Sequence, residues 1–244
     1  MSLGRFYVNP DVHQLEHNFW LREPHLYQEW TKVRHYRVGD EVVLFDGIAN
    51  ERLYRITHVE QDAFHLELVT EFERRLPVRH IYLFWAQLEP EQNERVIRQA
   101  TELGISNFVP LLTTHSQEES MDMDHLKQVA TEAAVHAGRS DLPHLRQPIT
   151  LYELADDYAK TVQLLLCEDS PATPGAGKTK PAKPATKPKL TTGKSIGIVV
   201  GPDKGWTDRE RDMLKKLQVG TLPLGHLNLR SETAAIVAAA KLLQ

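Results

Sequence analysis

Three short runs of apolar residues, 42–45, 53–59 and 64–69, are rich in valine, isoleucine, leucine and aromatic side chains and are bounded by glycine, aspartate or asparagine. That pattern predicts a small antiparallel β domain ending near Leu76. After Pro77 the rhythm changes. Strand-like runs at 81–85, 107–112 and 162–167 alternate with helical periodicity at 91–103 and 124–137, as in a mostly parallel sheet covered by helices. Thr150 and Glu153 form the ends of a capping-box pattern that opens a short helix before the 162–167 strand. Two further units close the chain, each a strand running into a glycine-containing loop and then a helix. The first is the β-branched run 196–200, which suits a strand buried on both faces, followed by Gly201-Pro202-Asp203-Lys204-Gly205. Its helix is set to begin at Asp208, because Thr207 and Glu210 make another capping box. The second runs from Leu222 through Gly225 to Arg230, with a helix after it. The fold class expected is α/β, with the domain boundary at residues 73–78.

Composition narrows the class. At 244 residues there is length for one large domain or two modest ones. A single cysteine, Cys167, excludes a disulfide framework within the chain and a cysteine-rich zinc site. The twelve histidines include no HExxH pattern, so no metal is expected. The N-terminus lacks a basic region followed by a long apolar run, and no stretch approaches the ~18 apolar residues of a membrane span. A cytoplasmic protein with no membrane partner is the expectation.

Residues 170–195 stand apart, with proline, alanine, threonine, glycine and six lysines, and no acid beyond Glu168 and Asp169 just before them. This composition predicts a disordered insert, either a solubilising linker or a tethered cationic arm. Within it, Ala172 to Thr179 imitates a phosphate-binding loop. Pro181, Pro184 and Pro188 forbid the helix that such a loop needs, so nucleotide hydrolysis is not expected. The formal net charge is −4 even with these lysines, which makes charge placement more informative than the sum for any RNA partner. Arg5, Lys32, Arg34 and Arg37 lie near Phe6, Tyr7, Trp30 and Tyr36 in the sequence. That mixture either holds phosphates and stacks bases or is a solvated sheet edge over core aromatics.

Several blocks, in order, resemble the RsmE family of 16S ribosomal RNA uridine N3-methyltransferases. The loop 201–205 with the following Thr207 and Glu210 resembles its GPEGGFSxxE block. Leu224-Gly225-His226-Leu227-Asn228-Leu229-Arg230-Ser231-Glu232-Thr233-Ala234 resembles its LGxRILRxETA block. Glu102-Leu103-Gly104, Val109-Pro110-Leu111, Gly138-Arg139 with Pro143, Arg5-Phe6-Tyr7 and Val38-Gly39-Asp40 extend the likeness over nearly the whole chain. The resemblance implies a PUA-like RNA-binding β domain over 1–75 and a SPOUT methyltransferase domain over 76–244. The latter is an α/β domain with a mostly parallel sheet and a trefoil knot, a rare exception to the rule against threaded loops. It further implies S-adenosylmethionine as cofactor, a homodimer, and ribosomal RNA of the small subunit as partner.

Carried over residue by residue, the cofactor pocket implied is Leu166, Gly201, Pro202, Asp203, Gly205, Leu224, Gly225, Leu227 and Leu229. Arg230 is the implied catalytic group, stabilising negative charge on the uracil oxygens. Glu232 either orients that arginine, accepts the proton of uridine N3, or complements a helix dipole. His226 is another possible base. RNA contacts implied are Arg5, Lys32, Arg34, Arg37 and Arg139, although an arginine after a helix can also cap carbonyls. The chain also departs from the pattern. Lys204 replaces a glycine, Gln92 and Gln99 replace two lysines on the first helix of the second domain, Thr114-His115-Ser116 replaces ERS, and Val135-His136 replaces the EQ before Gly138. These changes leave open a non-catalytic or substrate-shifted RNA-binding protein on the same scaffold.

Overall fold

Two separate sheets organise the residues described by the computed structural model, 3–48, 50–117, 120–168 and 195–243. The chain divides into two units, one of Met1–Leu76 with Ala134–Leu142 and one of Pro77–Ala133 with Pro143–Gln244.

The first unit contains β1 (Gly4–Tyr7), β2 (Asn18–Leu21), α1 (Pro24–Gln28) with a π-helical turn at Glu29–Val33, β3 (Glu41–Phe45), β4 (Glu51–Val59) and β5 (Phe64–Glu71). Its five strands lie in the order β1-β3-β4-β5-β2. The sheet is mixed, not purely antiparallel, because β1 pairs parallel with β3. Strands β1 and β2 have four residues each, too short for a two-residue period to register, and that is why the apolar pattern reveals only the three longer ones. The core of this unit includes Phe6, Leu21, Trp30, Leu44, Tyr54, Ile56, Phe64 and Leu66. Full burial of side chains this large contributes about 1.5–3 kcal/mol each.

Of the two readings of the N-terminal aromatics, Phe6 and Trp30 fit that of core aromatics, while Tyr7 and Tyr36 are half-buried. Trp30 is completely buried and Phe6 nearly so, and the two rings pack 5.1 Å apart inside the core. Arg5 is likewise committed: its Nε donates to Glu51 Oε1 at 3.0 Å, and its guanidinium lies 3.8 Å from the centre of the Phe45 ring. Ser140 Oγ also donates to Glu51, at 2.7 Å. Burial pushes the Glu51 carboxyl up, but the bonds from Arg5 and Ser140 prevail and hold it below its ordinary range.

After Pro77 come β6 (Ile81–Ala86), α2 (Pro90–Leu103), β7 (Asn107–Leu112), α3 (Met123–Ala137, whose last turn belongs to the first unit), β8 (His144–Leu145), β9 (Ile149–Thr150), α4 (Leu151–Glu153), β10 (Val162–Glu168), β11 (Ser195–Val200), α5 (Asp208–Lys216), β12 (Gly220–Pro223) and α6 (Ser231–Leu243). The strand order is β12-β10-β11-β6-β7-β8, with β9 also on β7, and these pairs are parallel. Central β11 is covered on both faces, as its β-branched run requires. Ile198 and Val200 join the core with Val96 and Ala100 of α2 and Ala235 and Ala239 of α6, whereas Val199 joins that of Leu151, Leu154 and Leu214. Both capping boxes form, at Thr150 with Glu153 and at Thr207 with Glu210. The expected insert, apart from Ser195 at the head of β11, lies outside the described residues, and so does the phosphate-loop mimic within it. Among the described residues no helix is long and apolar enough to cross a membrane, and no cluster of three or more histidine, cysteine, aspartate or glutamate side chains could hold a metal.

Candidate functional site

At the carboxyl end of the parallel sheet, β11 and β12 release the chain into the two glycine-containing loops. This is where ligands of open α/β sheets usually sit. Gly201 directly follows β11 and must lack a side chain, because a Cβ there would stand 2.7 Å from the Trp206 ring. The loop then tightens: Gly205 N–H donates to Pro202 O at 2.7 Å, and Gly205 has a φ of +75°, a left-handed conformation that favours glycine.

The two loops are stapled together at the start of α6. Asp203 Oδ1 accepts from the Ser231 N–H at 2.8 Å, and Ser231 Oγ donates to Gly201 O at 2.7 Å. A carboxylate from one loop therefore satisfies an otherwise orphaned amide at the positive end of a helix that follows the other. Ser231 was not among the residues singled out from sequence. Its only signal was a serine just before an acid at a helix start.

A second brace involves Glu210, which is buried in the first turn of α5. Its Oε2 accepts from Thr207 N and Oγ1, both at 2.8 Å, closing the capping box. Its Oε1 accepts from Thr114 N at 2.8 Å and Thr114 Oγ1 at 3.0 Å, in the loop after β7. Burial raises the tendency of this carboxyl to protonate, but the bonds from Thr114 and Thr207 outweigh it and hold the group below its ordinary range. The adjacent His115 reaches Gly205 O through Nδ1 at 2.9 Å. Sequence identified the cap role of Glu210 but had no means of finding Thr114 as its second client.

The residues of the expected cofactor pocket divide by face. Leu224 is buried and Leu229 partly buried against the core between the sheet and α2 and α6, together with Cys167. Leu166 points its side chain to the opposite face, into the core that includes Trp206 and Val199, so at the sheet end it offers backbone to a ligand on the Leu224 side. Residues 225–228 are exposed, a Cβ at Gly225 would meet nothing within 4 Å, and Leu227 is 76% exposed. An open backbone ledge beside an uncovered leucine, over a buried leucine, suits a flat nucleoside such as the adenosine part of S-adenosylmethionine.

The chemical residues sit at the edge of this ledge. Arg230 is exposed and its carbonyl accepts the Ala234 N–H as α6 begins. Glu232 is buried and does not pair with Arg230 among the described residues. Its Oε1 lies 4.0 Å from Arg95 Nη1, and its Oε2 has no hydrogen-bond partner there. His226 is exposed. Lys32, Arg34 and Arg37 are exposed in the first unit, with Arg34 paired to Glu29. Arg139 is buried, with Nε and Nη2 donating to the two Asp141 oxygens at 3.1 and 2.8 Å. In this arrangement Arg139 is an internal brace and is not presented to solvent.

The 201–205 loop also lines a polar cleft of about 490 Å³, together with Gln87, Gln92, His115 and Gln117, to which it contributes Asp203 and Lys204.

Comparison with known proteins agrees with this architecture. The chain is 25% identical to ribosomal RNA small subunit methyltransferase E of Rickettsia conorii over 99% of its own length and 95% of that protein. It is also 25% identical to the Aquifex aeolicus protein of the same name, covering 84% of this chain and 88% of the relative. In structure it resembles the Neisseria gonorrhoeae ribosomal RNA small subunit methyltransferase E bound to S-adenosyl methionine, with a TM-score of 0.81, 20% identity and coverage of 99% and 97%. A Legionella pneumophila protein in complex with the same cofactor gives a TM-score of 0.78 at 25% identity, with coverage of 99% and 97%. The likeness read from the sequence blocks is borne out by these relatives. A model of the RNA methyltransferase domain matches residues 74–243, and the chain belongs to that family.

Proposed function

We propose that this protein is an S-adenosylmethionine-dependent methyltransferase that modifies N3 of a uridine in 16S ribosomal RNA. The observation that carries the reading is the stapled pair of loops at the carboxyl end of the parallel sheet, which leaves a backbone ledge with Leu227 uncovered beside Arg230. Gly201, Pro202, Gly205, Leu224, Gly225, Leu227 and Leu229 would hold the cofactor, with Leu166 contributing main chain and Asp203 bracing the loop from behind. When bound, S-adenosylmethionine supplies an electrophilic methyl group.

The rest is positioning and charge. A uridine brought to the ledge places its carbonyl oxygens where the exposed Arg230 guanidinium stabilises the anion that forms as N3 loses its proton. Glu232 Oε2, a buried carboxylate oxygen without a partner among the described residues, is the acceptor proposed for that proton. Closely held loops hold the reacting atoms in line, which is where most of the rate advantage of such a transfer arises.

The PUA-like character of the first unit, a trefoil knot in the second and a homodimer belong to the same proposal. Edge strand β12 lies against β10, on the far side from β11, which precedes it in the chain. That return supports a threaded connection. The non-catalytic alternative took its motive from Lys204, Gln92, Gln99 and Val135; of these, Lys204 is exposed at the cleft.

Mass spectrometry of 16S ribosomal RNA from a deletion strain and its parent tests the function. One methylated uridine should be missing in the deletion, and restored by the gene. Identical modification profiles would refute the activity.

A further inference from the structure

We propose that the 490 Å³ cleft between the start of α2, the loop after β7 and the 201–205 loop receives a phosphodiester of the RNA substrate, with Lys204 as its anchoring cation. This rests on the reading of the protein as an RNA methyltransferase and adds to it a binding site and the residue that makes it.

The cleft has the size of a ligand site, and its lining is largely polar, with Lys204 its one lysine or arginine among the described residues. Gln87, Gln92 and Gln117 carry amides, His115 an imidazole and Lys204 an ammonium. Among the described residues Asp203 is the one acid in that lining, and its Oδ1 is already engaged by the Ser231 N–H at the positive end of α6. A polar cleft with an exposed lysine, side-chain amides able to donate, and an acid whose Oδ1 is turned to internal use favours an anion. A phosphodiester is the anion that RNA presents at every nucleotide, and such contacts fix register without reading sequence.

His115 supports the assignment through the backbone. Its Nδ1–H donates to Gly205 O at 2.9 Å. The same bond ties the loop after β7 to the loop that carries Lys204, so the lysine is held on a braced segment.

Gln92, in the first turn of α2, and Lys204, on the 201–205 loop, line this one cleft from two walls. A cation placed at either position therefore faces the same space.

The experiment uses full-length protein and unmodified 16S ribosomal RNA transcribed in vitro, with binding measured across a salt series. Lys204→Gln should bind about tenfold more weakly, because a charge-assisted contact is removed. The slope of log affinity against log salt should become shallower by about 0.7–0.9, one phosphate contact. S-adenosylmethionine affinity by calorimetry should stay at the wild-type value. Adding Gln92→Lys to Lys204→Gln should return both affinity and slope toward wild type, which no purely structural role of Lys204 would produce. Wild-type affinity and slope in Lys204→Gln would overturn the inference, and so would a loss that Gln92→Lys fails to recover. If the wild-type protein bound RNA but not S-adenosylmethionine, the enzymatic reading would fall while the salt slope still judged Lys204.

Discussion

Replacing Glu210 by glutamine should loosen two loops at once, although the side chain keeps its size. Each carboxylate oxygen has its own backbone client, Thr114 N for Oε1 and Thr207 N for Oε2, both at 2.8 Å. A glutamine keeps one acceptor and turns an NH2 toward the other amide, donor against donor. Leaving one buried backbone N–H unsatisfied costs about 1–3 kcal/mol. For a chain of this size about 2–4 °C of melting temperature is lost per kcal/mol. Glu210→Gln should therefore melt about 4–8 °C lower for a mid-range loss of about 2 kcal/mol, and Glu210→Ala, which abandons both clients and the cap, lower still. The pH dependence has a definite sign. The folded carboxyl is held below its ordinary value, so its stabilisation is fully present above the unfolded value of 4.5 and is lost as pH falls through the depressed folded one. Thermal unfolding of wild type and Glu210→Gln from pH 7 down to pH 3 measures both effects, and the gap between them should close at the acid end. A mutant that melts with wild type at pH 7 would refute the two-client account.

Other outcomes follow from the same geometry. Gly201→Ala should abolish most S-adenosylmethionine binding in calorimetry, because its Cβ would stand 2.7 Å from the Trp206 ring and push one of the two aside. Asp203→Ala should destabilise the fold by about 0.5–1 kcal/mol, the worth of an exposed carboxylate at a helix start, and should weaken cofactor binding as the loops part; Asp203→Asn, which retains an acceptor, should lie between, and chemical denaturation with parallel titration reads both. Arg230→Ala should lose methyl transfer at least a hundredfold while binding the cofactor as wild type does, since it is assigned to the uracil; equal activity in a transfer assay would end that assignment. Lowering the pH through the depressed range of Glu51 should release the Arg5 and Ser140 bonds and destabilise the first unit, which hydrogen exchange of β1 and β4 would detect.

Local signals in the chain determined a good deal. The β-branched run before Gly201 determined a strand buried on both faces, Thr207 with Glu210 determined where α5 begins, and the alternation after Pro77 determined a parallel sheet, because each depends on the steric and hydrogen-bonding preferences of neighbouring residues. The family blocks located the two glycine loops for the same reason. The pairing of β1 with β3, thirty-odd residues apart, left no trace in a four-residue strand, and the parallel edge was visible only once both strands were placed. Likewise nothing local could tell that Phe6 and Trp30 face inward, that Arg5 is spent on Glu51, or that Leu166 turns away from Leu224. Those outcomes depend on which face of a sheet a side chain meets and which charge lies opposite it. The bond from Asp203 to Ser231, the second client of Glu210 and the meeting of Gln92 with Lys204 in one cleft join residues 28, 96 and 112 positions apart. Only the folded chain brings such groups within hydrogen-bonding or electrostatic reach, because those forces act over ångströms in space regardless of distance along the sequence.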